Sequence, residues 1–285
     1  MRFLHAHGEL TIDRCHVMGI VNRTPDSFYD GGRMSLERAV AHAEELVEQG
    51  ADIIDIGAVK AGPGPDVSEQ DEIDRLVPLV AALHEHVDVP MSIETGRGAV
   101  AKLAFDAGAA ILNDVTELAD EDLLRACVEA RAGLVVMHHG GQIRGRPRNP
   151  RYDDVVRDVL ERWTALVALA TGAGIPAESV MVDPGLDFGK NTFHSLELVR
   201  RLPELVEQPQ PVLLAASRKD IVGETLGLPP QERLEGSLVI VAAAVTAGVA
   251  AVRVHDVKET VRAVQMTEAI LGRRRPVAPI RGLWE

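Results

Sequence analysis

Eight short apolar stretches in this 285-residue chain each run into residues able to bind or carry charge. The first ends in Asn22-Arg23-Thr24-Pro25-Asp26-Ser27, the second in Gly57-Ala58-Val59-Lys60, the third in Glu94-Thr95 and the fourth in Asn113-Asp114. The fifth ends in Met137-His138-His139, the sixth in Asp183-Pro184-Gly185, the seventh in Ser217-Arg218-Lys219-Asp220 and the eighth in Arg253-Val254-His255-Asp256. Asn113 and Asp183 together offer donors and acceptors to a flat polar heterocycle. A carboxylate facing ring N–H groups makes directional, charge-assisted bonds. Lys219 and Arg253 suit an anion. Asn22 suits a phosphate or the Mg²⁺ that bridges phosphate to a few protein oxygens. Taken singly, each residue has a plainer explanation, since an Asn or Asp at a strand end is more often a helix N-cap. The functional reading rests on polar groups ending all eight stretches together. His138 and His139 are poorly spaced for one metal ion.

The elements that must position these groups alternate along the whole chain. Periodicity predicts strands at 16–21, 52–56, 90–93, 110–113, 134–137, 179–182, 212–215 and 251–254. Between and after them it predicts helices at 35–49, 68–85, up to 107, 120–130, 153–172, 195–203, 230–247 and 257–271. Eight βα units point to a closed (β/α)₈ TIM barrel in the α/β class, with a doubly wound open sheet as the alternative. The turns before strands are short and glycine-marked, at Gly50, Gly108, Gly133 and Gly248, and read as helix C-caps. The turns after strands are longer and chemically richer, as expected of the active face of a barrel. Residues 1–14 are expected to form a hairpin closing the barrel bottom, and 273–285 an irregular tail, within a single domain spanning 1–285.

Composition agrees. A barrel needs about 250 residues. Apolar residues make up 46% of the chain and aromatics only 3%, so the core must be mainly Val, Ile, Leu and Ala. The net charge of −13 argues against nucleic acid as a partner. Cys15 and Cys127 have no metal-type spacing and read as two reduced thiols. The apolar run 238–251 is too short to span a membrane, and no signal segment opens the chain. The expectation is a soluble cytoplasmic protein.

The ordered motifs resemble a known family. Met18-Gly19-Ile20-Val21-Asn22-Arg23-Thr24-Pro25-Asp26-Ser27-Phe28 is similar to the first signature of dihydropteroate synthases. Gly50-Ala51-Asp52-Ile53-Ile54-Asp55-Ile56-Gly57 is similar to the start of the second. Asn113-Asp114-Val115, Asp183-Pro184-Gly185, Phe188-Gly189-Lys190, Ser217-Arg218-Lys219 and Arg253-Val254-His255-Asp256 follow in the family's order. The resemblance implies condensation of a dihydropterin diphosphate ester with p-aminobenzoate, releasing pyrophosphate. It places the pterin on Asn113, Asp183 and Lys219, with Glu94 and Met137 among the substrate-binding residues. It places pyrophosphate on Asn22, Arg253 and His255, Mg²⁺ near Asn22, and p-aminobenzoate near Ser217. Lys219, Asp183 and Arg253 would carry catalysis, mostly by positioning and charge stabilisation. A homodimer is implied in the same way.

The pattern also breaks. Ala61 and Gly62 stand where the family has Thr and Arg in its mobile loop, and Glu94 stands where it has Asp. Asp220 replaces a usual Ser and Arg23 a small apolar residue. If Asp220 faces the cavity, it would repel the carboxylate of p-aminobenzoate. Arg144, Arg146, Arg148 and Arg151 crowd one loop of an acidic chain, either as a solvated segment or as a replacement anion site. These departures resemble a divergent actinobacterial second-copy subgroup. An active transferase and a paralogue that binds pterin or a related phosphate ester without efficient turnover are therefore both open. The same barrel also admits a Schiff-base aldolase using Lys219 and a methyltetrahydrofolate methyltransferase.

Overall fold

The computed structural model describes residues 1–23, 35–59, 66–141 and 149–281. The chain opens with β1 (Arg2–His5) and β2 (Gly8–Thr11), an antiparallel hairpin. It continues through β3 (His16–Asn22), α1 (Leu36–Glu48), β4 (Ile53–Gly57), α2 (Glu69–His84), β5 (Met91–Glu94) and α3 (Gly98–Asp106). Next come β6 (Ile111–Asp114), α4 (Glu121–Ala130), β7 (Gly133–Met137), α5 (Val155–Gly172), β8 (Val180–Asp183), α6 (Thr192–Arg200) and α7 (Leu202–Val206). β9 (Leu213–Leu214), α8 (Asp220–Leu226), α9 (Leu234–Ala247), β10 (Ala251–Val254) and α10 (Val257–Ile270) complete it.

Strands β3 to β10 pair in parallel in the order β8-β7-β6-β5-β4-β3-β10-β9. A parallel bridge between Val182 and Val212 joins the two ends, so the sheet closes into a barrel. The side-chain period of two divides each strand between two cores. Met18, Ile53, Ile111, Val135, Met181, Leu213 and Ala251 pack together inside the barrel. Val17, Ile54, Ile56, Leu112, Val136, Val182, Leu214 and Val252 pack outward against the helices. The hairpin closes the barrel from its N-terminal end. Its Phe3 is fully buried and joins the inner core.

Three local expectations are corrected. Gly133 is not a helix cap: Arg131 takes the left-handed conformation that ends α4, at φ 52°. Gly133 is instead a close-packing position, because a Cβ there would lie 2.7 Å from the Phe3 ring. The helix predicted at 195–203 breaks at Arg201, with Pro203 opening α7. Helix α8 lies where the sequence suggests a loop, since Gly223 falls inside it and Gly227 ends it. The Arg233 guanidinium lies where a Cβ at Gly223 would be and would have to shift for any larger residue. By contrast, Gly50, Gly108 and Gly248 do follow their helices with positive φ, as expected of C-caps.

Candidate functional site

The alternation that builds the inner core also builds the site. Ile53 faces inward and Ile54 and Ile56 outward, so Asp55 faces the barrel interior. Ala251 places Arg253 inside by the same rule, as do Ile111 for Asn113, Val135 for Met137 and Met181 for Asp183. Met91 and Ile93 face outward, which turns Glu94 inward. Thus six strands each deliver one side chain to the C-terminal mouth of the barrel.

Arg253 joins two of these inward groups. Its Nε donates to Asp55 Oδ2 and its Nη2 to Glu94 Oε2, both at 2.6 Å. Asp55 also accepts from Ser92 Oγ at 2.6 Å and from Asn113 Nδ2 at 3.4 Å. Burial opposes the charge on Arg253, but Asp55 and Glu94 overcome it and the guanidinium pKa is raised. Burial raises the Glu94 carboxyl, with Arg253 pulling the other way.

Asp183 and Lys219 form the second half of the floor. Burial raises the Asp183 pKa; the charges of Lys219, Arg253 and Lys190 and a 2.7 Å bond from Gly185 N lower it. That last bond ties Asp183 to its own turn, but Asp183 is not the helix N-cap of the plainer explanation: Asn191 caps α6. Burial lowers the pKa of Lys219, against Asp183 and Asp187. Its Nζ donates to Leu186 O at 2.9 Å and sits over the Phe188 ring at 5.0 Å from the centroid. Asn113 is no cap; its neighbour Asp114 closes the loop after β6, accepting from Thr116 N and Leu118 N, and Asp120 caps α4. Met137 is buried beside Gly185. Ser217 and His255 pair with each other, Oγ to Nδ1 at 3.1 Å, rather than with the Arg253 cluster. Asn22 ends β3 in register with Gly57.

The family described as "Pterin binding enzyme" matches residues 18–255. The chain belongs to the dihydropteroate synthase family. A Mycobacterium leprae protein named "Inactive dihydropteroate synthase 2" is 48% identical over 278 residues, covering 95% of this chain and 96% of its own length. The Escherichia coli K12 dihydropteroate synthase is 40% identical over 271 residues, covering 94% and 96%. The crystal structure of the Yersinia pestis dihydropteroate synthase with a sulfonamide drug complex superposes with a TM-score of 0.91 at 38% identity. It covers 96% of this chain and 100% of that one. The Xanthomonas albilineans dihydropteroate synthase with 4-aminobenzoic acid gives 0.86 at 38% identity, covering 95% and 96%.

Against the dihydropteroate synthase pattern, Ala61, Gly62, Arg144, Arg146 and Arg148 lie outside the described residues. Asp220 is engaged with Arg233 Nη1 at 3.2 Å. Arg23 donates from Nη1 to Arg75 O at 2.7 Å, reaching helix α2.

Sequence reasoning misses two residues. Asp55 hides inside a motif, although a carboxylate within an Ile-Ile-Asp-Ile strand is a signal in itself, since buried parallel strands read as unbroken apolar runs. Lys190 likewise stands out only as part of a motif, yet it is among the largest fully buried side chains. A separate cavity of about 560 Å³ opens beside the floor, lined by Glu117, His138, Tyr152, Asp158, Arg162 and Gly189 among others. It includes no residue of the Arg253 or Asp183 floor. Among the described residues no group of three or more His, Cys, Asp or Glu side chains is placed to hold a metal ion, and no helix is long and apolar enough to cross a membrane.

Proposed function

We propose that the protein binds a dihydropterin diphosphate ester and transfers its pterinylmethyl group to an arylamine of the p-aminobenzoate type. The observation that carries this is the Arg253 fork between Asp55 and Glu94, with Asn113 on Asp55 and Asp183 beside Lys219. Carboxylates and an amide facing one buried layer suit the N–H groups and ring nitrogens of a pterin. The bond between the methylene carbon and the ester oxygen breaks with its electron pair leaving on diphosphate. The arylamine nitrogen attacks the pterin-stabilised cation and then loses a proton. No residue is alkylated. Lys219 and Arg253 favour the step by keeping fixed positive charge near the departing anion.

Asn22 offers one neutral amide oxygen at the strand end, a fit to an ion held mainly by phosphate and water rather than to a protein cage. Mg²⁺ bound with the diphosphate would neutralise the leaving group. On this reading the protein is a cytoplasmic homodimer, with the exposed Val239, Met266 and Ile270 of α9 and α10 as the contact face. His255 and Ser217 would lie toward the diphosphate and the arylamine.

The test is pyrophosphate release with pterin diphosphate, p-aminobenzoate and Mg²⁺. Release dependent on the arylamine supports the transferase; folded protein that releases none sinks it. A second reading, pterin binding without efficient turnover, is favoured by Ala61 and Gly62 in place of Thr and Arg. The name of the Mycobacterium leprae relative supports it too. It predicts a raised melting temperature with pterin alone.

A further inference from the structure

Beneath the loop that follows β8 lies a lysine that belongs to neither the pterin floor nor the surface. Lys190 is 2% exposed. Its Nζ donates to Phe188 O at 2.9 Å, His138 O at 3.0 Å and Gly185 O at 3.1 Å, with His138 Nδ1 2.8 Å away. Four acceptors surround three N–H groups, so the protonated amine is fully satisfied, although burial pushes its pKa down to about 7, against the pull of Asp183. Two of the carbonyls come from the β8 loop and one from the end of β7. One cation thus ties together the two loops on either side of Asp183.

The consequences reach the floor directly. Gly185, whose carbonyl Lys190 holds, gives its own N–H to Asp183 Oδ1. Its φ is +64°, and a Cβ there would collide with His138 O. The Asp183 carbonyl is held in turn by His138 N at 3.0 Å and Trp163 Nε1 at 3.1 Å. Leu186 O, one residue on, anchors Lys219. Thus both charged groups of this half of the floor hang from the segment that Lys190 clamps.

We propose that Lys190 is a positioning residue for the pterin site: its buried amine holds the loops after β7 and β8 together, fixing Asp183 in place, and while protonated it brings a positive charge to that carboxyl. This rests on the pterin-binding reading above. The charged groups facing Asp183 are Lys219, Arg253 and Lys190, and each favours the carboxylate against burial, which raises its pKa. Those facing Lys190 are His138 after β7, Asp158 on α5, Glu117 after β6, His194 on α6, Asp183 and Lys219. His138 is held neutral by burial and by Lys190, which lower its pKa to about 4, so its Nδ1 accepts while Nε2 donates to Asp158 at 2.8 Å.

The experiment compares the unmodified protein with Lys190→Met and Lys190→Gln. One arm follows the Asp183 carboxyl carbon by NMR, without ligand, from about pH 3 to 9. The other measures binding of 6-hydroxymethylpterin by calorimetry over the same range. The expected result is an Asp183 midpoint about one pH unit higher in both variants. The acid limb of binding should move up with it, and affinity should fall about tenfold or more, the scale on which supporting residues act. A merely structural role would lower the melting temperature and leave the midpoint still. Folded variants that titrate Asp183 and bind pterin as the unmodified protein does overturn the proposal. Should Lys190→Met fail to fold, Lys190→Gln carries the test. An unmodified protein that binds no pterin defeats the functional reading alone, because the carboxyl titration still decides the role of Lys190.

Discussion

Arg253 and Asp55 lie 198 positions apart in the chain and meet at 2.6 Å inside the barrel mouth. Asp55 has no exposed surface, and its oxygens are shared by Arg253, Ser92 and Asn113. Removing one member of a buried pair strands the other in a low-dielectric site. Asp55→Ala should lower the unfolding free energy by about 3 kcal/mol, the scale of a broken buried pair. Denaturant titration reads the loss.

Arg253→Lys tests the fork rather than the charge. An ammonium is a point donor and cannot reach both Asp55 and Glu94 as the guanidinium does. The variant should fold and bind 6-hydroxymethylpterin about tenfold more weakly, the equivalent of roughly 1.4 kcal/mol. Equal affinity in calorimetry would separate Arg253 from the binding site.

Acid should weaken the fold through His138. Burial lowers its pKa from 6.5 to about 4. The unfolded chain therefore binds more protons between those values, and stability falls as pH drops through that window. The linked loss is about 3 kcal/mol by pH 4. His138→Gln, which cannot titrate, should flatten this part of the stability–pH curve. A curve of unchanged slope would assign the acid loss to other groups.

The barrel floor offers a packing test. A Cβ at Gly133 would lie 2.7 Å and 2.9 Å from two Phe3 ring carbons and 3.0 Å from Leu4 O. Gly133→Ala should cost about 2 kcal/mol by overpacking, and Phe3→Ala about 4 kcal/mol by cavity formation. The double variant should lose less than the sum, since removing the ring relieves the clash. Simple additivity in thermal melts would place the Gly133 effect elsewhere.

Asp220 is engaged by Arg233 rather than left to oppose an arylamine carboxylate. Its carboxylate faces Arg233, with about a third of the side chain exposed. Asp220→Ser should therefore cost only about 0.5 kcal/mol, as expected of a solvent-screened pair. It should leave p-aminobenzoate-dependent pyrophosphate release within about threefold. A large rise in release would show that Asp220 repels the arylamine carboxylate after all.

Eight strands, the long helices and the inward polar ring could be read from sequence, because each is a local property. Unbroken aliphatic runs such as Ile53-Ile54 or Leu134-Val135-Val136 fit only buried parallel strands, and their length sets where the polar residues fall. Family motifs named Asn113, Asp183, Lys219 and Arg253 for the same reason: order and spacing survive in one dimension. What tertiary structure alone decided is which of these groups touch. Nothing near Asp55 in sequence announces Arg253, and nothing near Lys190 announces His138, since partners on different strands are brought together only by barrel closure. Gly133 shows the same limit: its neighbours in the chain suggest a cap, whereas its neighbour in space is Phe3. The sequence by itself determined the barrel and the side chains at its mouth. Closure of the sheet decided the contacts, because a buried charge takes the partner that space provides.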